Sequence, residues 1–209
     1  QGPYAGGWLW DAGVPGRHQP DLVYQDLTDN LLAIGIAYAD KITTVSPRHA
    51  IEIQYPYMAY GLEHIIQRRA NDLEGILNGL DMAEWNPATD PRIFSNFDSN
   101  TFVEKRPPNK ANLQERLGLP VRPEVPLIGA VSRLVAQKGF DLATPALRAL
   151  LATTDVQVVV LGTGEPDVEQ AVWRLGQDYG WKMRAILQYN ATLAQQIYAG
   201  SDVFLMPSH

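Results

Sequence analysis

The chain has 209 residues, of which 45% are hydrophobic, and this composition is ordinary for a globular protein. A formal net charge of −6 argues against a general affinity for nucleic acid or for an anionic membrane, and no apolar run approaches the roughly 20 residues that span a bilayer. The absence of cysteine excludes disulfides, thiol nucleophiles and thiolate metal sites, and it fits a reducing cytosol.

The N-terminal part of the chain predicts a loop, a helix and a strand. Residues 1–28 are rich in Gly, Pro and aromatic side chains, which indicates a loop-dominated segment. Thr28 or Asp29 can cap a helix over "NLLAIGIAYAD", and this helix is apolar nearly all round, so we expect it to be buried. The β-branched stretch "KITTVSP" then predicts a short strand that ends at Pro47.

A second helix and strand follow. "GLEHIIQRRAND" predicts an amphipathic helix with Leu62, Ile65 and Ile66 on one side. "EGILNG" predicts another short strand, closed by a turn at Asn78–Gly79.

The texture of the sequence changes from about residue 81 to residue 122. This stretch has little periodicity and several Pro, Asn and Asp residues, which predicts a connector. It ends in a short helix, "ANLQERLG", with Asn109 as its candidate cap, Gly118 as its stop signal and Pro120 beyond.

After the connector, four apolar strands alternate with helices: "PLIGAVS", "VQVVVLG", "MRAILQY" and "DVFLMPS". This alternation predicts an α/β fold in which a parallel sheet is covered on both faces. The last two helices each have one apolar face, made of Val168, Val172 and Leu175 in the first and of Leu193 and Ile197 in the second.

Three features concern where elements begin and end. Pro145 predicts that its helix begins at Thr144–Pro145, after an irregular turn that follows Lys138. Gly200 is the predicted terminator of the last helix. The chain starts at Gln1 and stops directly after a predicted strand, so we expect an internal part of a longer protein.

In a parallel α/β sheet, ligands bind beyond the carboxyl ends of the strands. Applied to the predicted strands, this rule selects Asn78, Arg133, Lys138, residues 162–164, Tyr189 and the final "PSH".

Arg133 and Lys138 follow the same strand. Lysine at a helix N-terminus is disfavoured by a few tenths to about 1 kcal/mol, because the helix end carries partial positive charge. One interpretation is a solvated pair of cations. The other is an anion between them: arginine suits bidentate contact with phosphate and lysine supplies a point charge, so a diphosphate would satisfy both.

The turn "LGTGEPDVE" is a weak match to a dinucleotide-binding fingerprint. The third glycine position is occupied by Asp167, and Glu165, Asp167 and Glu169 fill the first turn of the following helix. These carboxylates would repel a pyrophosphate, which disfavours a nicotinamide cofactor. Gly162 and Gly164 either form a tight turn or let a neutral part of a ligand approach.

Two further positions also allow two interpretations. Tyr189 ends a predicted strand, where it either packs or stacks on a nucleobase. Asn78 either belongs to a simple turn or faces a ligand. The four histidines have no metal-ligand spacing, and we expect no metal site.

Several stretches, in this order and spacing, resemble the bacterial glycogen synthases and plant starch synthases: "ADKITTVSP", "GILNGLD…WNPATDP", "NKANLQERLGLP", "PLIGAVSRLVAQKGFDL", "LGTGEP" and "IYAGSDVFLMPS". These are ADP-glucose-dependent retaining glucosyltransferases. The resemblance covers nearly all of residues 29–209. One stretch departs from it: "YPYMAYGL" stands where the family usually has "TPEFGYGL", with Tyr57 for Glu and Ala59 for Gly.

The resemblance implies a GT-B fold, in which two Rossmann-like domains face each other across a cleft. Residues 1–79 would be the C-terminal part of the N-terminal, acceptor-side domain. Residues 80–209 would be the connector and the first part of the C-terminal, nucleotide-sugar-binding domain.

The family also implies roles for the candidate residues. Arg133 and Lys138 match the catalytic pair that holds the donor diphosphate, Asn78 matches an asparagine that faces the donor, and Tyr189 matches the aromatic residue that stacks on adenine. The implied substrate-binding set consists of Asn78, Tyr189, Gly162 and Gly164.

The implied reaction transfers glucose from ADP-glucose to the non-reducing end of an α-1,4-glucan such as glycogen or starch, with retention of configuration and without cofactor or metal. We expect this chain alone to be inactive, and the intact protein to act in bacterial cytoplasm or plastid stroma without nucleic-acid or membrane partners. The alternatives are a transferase that uses a UDP- or GDP-sugar, a non-catalytic glucan-binding relative and a nucleotide-cofactor oxidoreductase.

Overall fold

The chain divides into two compact units. A computed structural model of the protein describes residues 22, 27, 28 and 30–208, and the two units meet in sequence between Leu80 and Asp81. The assignment of these units to two family domains, with a boundary at residues 79–80, stays a prediction. Within the described ranges, no helix combines the length and the apolarity needed to cross a bilayer.

The first unit contains short elements around a two-stranded parallel sheet. In chain order they are α1 (Leu31–Tyr38), β1 (Ile42–Thr44), α2 (Pro47–Glu52), α3 (Pro56–Ala59), α4 (Glu63–Arg68), a 3₁₀ turn (Ala70–Asp72) and β2 (Leu73–Gly75). The predicted apolar face of α4 is confirmed, because Leu62, Ile65 and Ile66 are all buried in the core of this unit.

Helix α1 differs from its prediction in two ways. Its cap is Asn30 rather than Thr28 or Asp29, since the Asn30 side chain accepts a hydrogen bond from the backbone N–H of Ala33 at 3.0 Å. The helix is also not buried all round. Its core-facing side carries Ala33, Ile36 and Ala37, whereas Leu31, Leu32 and Tyr38 are exposed, because the helix packs on the core through one face.

The predicted Asn78–Gly79 turn is wrong. Strand β2 ends at Gly75, and residues 76–80 form no turn. The N–H of Ile76 donates instead to the carbonyl of Thr44 at 2.8 Å, which keeps the chain extended beside β1. Pro47 begins α2, a position where its missing N–H costs nothing.

The second unit contains the main sheet. Its elements are α5 (Phe102–Lys105), α6 (Pro107–Arg116), β3 (Leu127–Val131), a 3₁₀ turn (Ala136–Lys138), α7 (Phe140–Thr153), β4 (Gln157–Leu161), α8 (Pro166–Asp178), β5 (Met183–Ile186), α9 (Ala191–Gly200) and β6 (Val203–Phe204). The four strands are parallel in the order β5-β4-β3-β6, which confirms the predicted α/β class with a parallel sheet.

The two faces of the sheet are covered by different helices, because successive side chains of a strand point to opposite sides. In β4, Val158 and Val160 pack in the same cluster as residues of α7 and α8. Val159 and Leu161 pack with residues of α6 and α9. All five residues of β4 are buried, as expected for the interior of a sheet covered on both sides.

Helix α6 begins earlier than predicted, and Asn109 is not its cap. Pro107 occupies its first turn, so Asn109 lies inside the helix, where it is 3% exposed. The Asn109 amide accepts from the N–H of Ser95 at 3.0 Å and donates to the carbonyl of Ser95 at 2.8 Å. This residue therefore fastens the connector to α6. Gly118 follows the end of α6 in the left-handed conformation, with φ of 64°. This is the conformation that favours glycine after a helix, so its predicted role as the stop signal is confirmed.

The start of α7 differs from its prediction, whereas the end of α9 agrees with it. Helix α7 starts at Phe140 rather than at Thr144–Pro145, and Pro145 lies inside it. Burial of Phe140 at 1% exposure fixes the first turn against the sheet, and this packing overrides the preference of proline for a helix start. Gly200 is the last residue of α9, but its φ is not left-handed. Its role is close packing, because a Cβ there would lie 3.0 Å from the carbonyl oxygen of Asn109 in α6.

Candidate functional site

The carboxyl ends of the parallel strands bring several loops to one edge of the main sheet. The segments that follow β3, β4 and β5 there are residues 132–139, 162–165 and 187–190. This is the edge at which α/β proteins bind ligands. Whether the residues predicted from the sequence can form one site therefore depends on which of them these loops bring close to one another.

A cavity of about 210 Å³ lies among these loops, lined by residues 131–133, 161–163 and 188–190 and by Ala194. Arg133, Gly162 and Tyr189 line it together, although they come from three different strand ends. Lys138 and Gly164 do not line this cavity, but both lie on the same loops. Asn78 is an exposed residue of the first unit.

Gly162 and Gly164 allow the loops after β3 and β4 to touch. A Cβ on Gly162 would lie 1.8 Å from the carbonyl oxygen of Ser132, and one on Gly164 would lie 2.1 Å from that of Leu134. The N–H of Leu134 donates to the carbonyl of Thr163 at 2.9 Å, which extends the pairing of the strands into the loops. The close approach accounts for both glycines, and contact with a ligand stays a prediction for them.

Lys138 lies on the β3 loop, next to Gly139, which packs against the segment that follows β6. It closes the 3₁₀ turn Ala136–Lys138, two residues before α7 begins. Gly139 follows with φ of +71°, and a Cβ there would lie 1.9 Å from the carbonyl oxygen of Pro207. Lys138 is therefore held at the edge that Arg133 occupies, near the start of a helix, and it is half-buried.

The charges of Arg133 and Lys138 are not neutralised by any side chain in the described part of the chain. Across residues 30–208, neither side chain makes a hydrogen bond or an ion pair. Other cations of the second unit do: Arg92 pairs with Asp90, Arg122 with Asp155 and Arg148 with Asp178. Two cations at one sheet edge that pair with none of the described side chains are suited to meet an anion.

The carboxylates of the acidic turn after Gly164 accept hydrogen bonds from backbone N–H groups. The Glu169 carboxylate accepts from the N–H of Gly164 at 2.6 Å, and the Glu165 carboxylate accepts from the N–H of Ala136 at 3.4 Å. The Glu169 carboxylate thus takes an N–H of the turn itself, and the carboxylates add negative charge there, which disfavours a pyrophosphate and hence a nicotinamide cofactor at this turn.

Tyr189 is displaced from its predicted place. Strand β5 ends at Ile186, so Tyr189 lies in the loop rather than at the strand end. Its side chain is 89% exposed, which excludes the packing interpretation and leaves its ring face accessible. The next residue, Asn190, fixes this loop, because its side chain accepts from the N–H of Leu193 at 2.9 Å and caps α9.

The cavity also contains Thr163, which lies in the predicted range 162–164, and two residues that the sequence did not single out, Ser132 and Gln188. Ser132 directly follows β3, so the rule that ligands bind beyond the strand ends could have found it. Gln188 lies inside the stretch "MRAILQY", which predicts one continuous strand, and this pattern hides it. His209, the last residue of "PSH", lies outside the described residues.

A second, larger cavity of about 640 Å³ lies elsewhere in this unit, between α5, α6 and residues 123, 200 and 202. The position of this cavity follows from Asp202, one of its lining residues. The Asp202 carboxylate accepts a hydrogen bond from the N–H of Leu127, the first residue of β3. This cavity is thus at the amino end of the sheet. In the described part of the chain, no group of three or more His, Asp or Glu side chains is placed to hold a metal ion.

Comparison with known proteins gives consistent results. A family model described as the starch synthase catalytic domain matches residues 1–68. The glycogen synthase of Streptococcus sanguinis is 46% identical over 211 aligned residues, which cover all of this chain and 44% of that protein. The glycogen synthase of Kosmotoga olearia is 46% identical over 209 residues, which cover all of this chain and 43% of that protein. The chain therefore spans less than half the length of these relatives.

Comparison with solved structures gives the same result. The catalytic domain of starch synthase IV from Arabidopsis thaliana, bound to ADP and acarbose, superposes with a TM-score of 0.79 at 33% identity, covering 85% of this chain and 36% of that one. A glycosyltransferase from Rickettsia africae has a TM-score of 0.56 at 17% identity, with 89% and 41% covered, and shares the fold. The predicted GT-B class is confirmed by these neighbours. The chain belongs to the family of glycogen synthases and starch synthases.

Proposed function

We propose that the intact protein transfers glucose from ADP-glucose to the non-reducing end of an α-1,4-glucan, with retention at the anomeric carbon. The observation that carries this proposal is the cavity at the carboxyl edge of the sheet. It combines Arg133, a cation that pairs with no side chain of the described residues, with an accessible aromatic ring, Tyr189. A nucleoside diphosphate offers the two matching groups, an anion and a base with a flat face. Membership of the synthase family supports a sugar nucleotide as the donor.

In the proposed reaction, the bond between the anomeric carbon and the diphosphate oxygen breaks, and the electron pair leaves with the diphosphate. A hydroxyl oxygen of the glucan end forms the new bond to the anomeric carbon and loses its proton. Negative charge therefore grows on the leaving group while positive charge grows on the sugar ring. Arg133 and Lys138 would stabilise the leaving group, and preorganised donors of this kind are each worth about 10²–10³ in rate.

The other predicted residues take supporting roles. Tyr189 would stack on the adenine, and Asn78 would face the donor sugar. Gly162 would line the pocket, and Gly164 would hold the β4 loop against Leu134. We expect no cofactor, because glycosyl transfer needs no electron acceptor, and no metal, because the two cations would meet the diphosphate charge.

The reaction is tested by assaying the intact protein with glycogen as acceptor and with ADP-, UDP- and GDP-glucose as donors. We expect transfer from ADP-glucose at a catalytic efficiency at least tenfold above that with the other donors, and an α-linked product. Preference for UDP- or GDP-glucose would replace the donor assignment. Glucan binding without transfer from any donor would instead favour a non-catalytic relative. The bacterial relatives support a cytoplasmic location for the protein.

A further inference from the structure

The dipeptide Asn78–Gly79 lies in an exposed segment that follows β2. All five residues of the segment 76–80 are exposed. Among the described residues, the N–H of Gly79 donates no hydrogen bond and the side chain of Asn78 makes none. A Cβ on Gly79 would have no atom within 4 Å, so the space beside this peptide bond is open. The amide of Asn78 and the N–H of Gly79 are therefore both available for chemistry.

An asparagine that precedes a glycine can react with its own backbone. The backbone nitrogen of the glycine attacks Cγ of the asparagine and a C–N bond forms, while the side-chain nitrogen takes the proton of that N–H and leaves as ammonia. Water then opens the resulting five-membered imide at one of its two carbonyls, and the product is aspartate or isoaspartate. Glycine favours the attack, because it has no side chain in the way and its backbone adopts conformations that other residues avoid.

Two other asparagines show how local structure prevents this reaction. Asn100 is also exposed, but the N–H of Thr101, which would have to attack it, donates to the side chain of Asp98 at 2.9 Å. The β-branched side chain of Thr101 adds steric hindrance. Asn86 precedes Pro87, which has no N–H to supply. Asn78–Gly79 therefore combines the reactive sequence with the absence of such protection among the described residues.

We infer that Asn78–Gly79 is a site of spontaneous deamidation, with water as the co-reactant, and that this modification weakens the binding of the sugar nucleotide. The new carboxyl is ionised at neutral pH, because the pKa of aspartate is about 3.9. Asn78 is predicted to face the donor sugar, whose diphosphate is an anion, so the added charge would repel it. Isoaspartate also lengthens the backbone by one methylene group. The effect on donor binding rests on the proposed function, whereas the reaction itself does not.

The reaction is tested by incubating the intact, native protein in neutral buffer for several weeks. Peptide mass spectrometry follows the conversion of each side-chain amide to a carboxyl, and enzymatic methylation of isoaspartate detects the second product. We expect Asn78 to convert at least about tenfold faster than Asn100, on steric grounds.

Gly79→Ala is the matched variant for the same incubation. Its added Cβ meets no atom within 4 Å, and the φ of Gly79 is not left-handed, so the fold accepts alanine there. Only the attack on Asn78 is hindered, and we expect its conversion to slow about tenfold. Equal rates at Asn78 and Asn100, or an unmodified Asn78 in the native protein, would overturn the inference. Conversion seen only after unfolding in urea would also overturn it, because the intact fold would then protect the dipeptide.

Kinetics separate the effect on donor binding from the reaction and from the proposed function. Asn78→Asp supplies one product directly, and we expect its kcat/KM for ADP-glucose to fall about tenfold. Asn100→Asp adds the same charge elsewhere and should leave this value unchanged. Conversion of Asn78 with undiminished kcat/KM would overturn the link to donor binding. Failure of fresh wild type to transfer glucose would count against the proposed function alone, because mass spectrometry measures the modification directly.

Discussion

The backbone of Gly162 passes so close to Ser132 that a Cβ on Gly162 would lie 1.8 Å from the Ser132 carbonyl oxygen. No side chain fits this gap. The contact joins the loop that follows β4 to the loop that follows β3, and it therefore sets the position of Arg133, the next residue along. Gly162, which matches one glycine of the dinucleotide-binding fingerprint, is therefore explained by the packing of two loops.

Replacing Gly162 with alanine is expected to destabilise the protein and to disturb the cavity. The added methyl must displace backbone, since the nearest atom is a carbonyl oxygen and not a flexible side chain. We expect a loss of about 1–3 kcal/mol in the free energy of unfolding, measured by urea denaturation. Gly35→Ala is the control, because no atom lies within 4 Å of its added Cβ, and a helical Gly→Ala change should stabilise by about 0.5–1 kcal/mol. Equal unfolding midpoints for wild type and Gly162→Ala would contradict the packing account.

Tyr189 is expected to contribute to donor binding through its ring and not through its hydroxyl. Stacking of a base on an aromatic side chain is worth about 1–3 kcal/mol, so Tyr189→Ala should raise the dissociation constant for ADP by about tenfold or more. Tyr189→Phe keeps the ring and should bind ADP like wild type. Isothermal titration with ADP measures both. Because the side chain is 89% exposed, neither change should lower the unfolding midpoint. Wild-type affinity in Tyr189→Ala would remove the stacking role.

Asp90 is expected to give the protein stability that depends on pH. Its carboxylate is 3% exposed and accepts from Nε of Arg92 at 2.7 Å and from Nη2 at 2.9 Å. Hydrogen bonding to Arg92 lowers the pKa of Asp90. A carboxyl whose folded-state pKa is depressed stabilises the protein fully above its unfolded value of about 3.9, and this contribution is lost as the pH falls from there through the folded-state pKa.

We therefore expect Asp90→Asn to reduce the free energy of unfolding by about 2 kcal/mol at pH 7, and the difference from wild type to shrink below about pH 4. Urea denaturation between pH 7 and pH 3 measures this. Asp155→Asn is a control for an exposed pair, since Asp155 is 54% exposed beside Arg122, and it should cost at most about 1 kcal/mol. A difference between Asp90→Asn and wild type that stays the same at every pH would contradict the account.

Much of the second unit could be predicted from its sequence, because its signals are local and agree with one another. The apolar run "QVVVL" has no polar residue after Gln157 and forms the fully buried strand β4. The helical periodicity of Val172 and Leu175 places both residues in the core. Parallel pairing then brings the strand ends to one edge, so residues chosen only by their position, such as Arg133 and Tyr189, meet in one cavity.

Two failures of prediction have a common physical cause, which is tertiary contact. Asn109 has the chemistry of a cap, but its amide is used to bind Ser95, which is distant in sequence. Pro145 is a typical helix starter, but the burial of Phe140 starts the helix earlier. No sequence window contains both partners of such contacts, so local signals cannot reveal them.

The central claim is that Arg133 and Lys138 neutralise the departing diphosphate, and the turnover number of Arg133→Ala and of Lys138→Ala with saturating ADP-glucose and glycogen tests it most directly. Neither side chain has a partner within residues 30–208, so we expect unfolding midpoints equal to wild type. Arg174→Ala, which removes an exposed cation of α8, is the control and should keep full activity. We predict that each site variant loses a factor of about 10² or more in kcat. Near-wild-type turnover in either variant would contradict the claim.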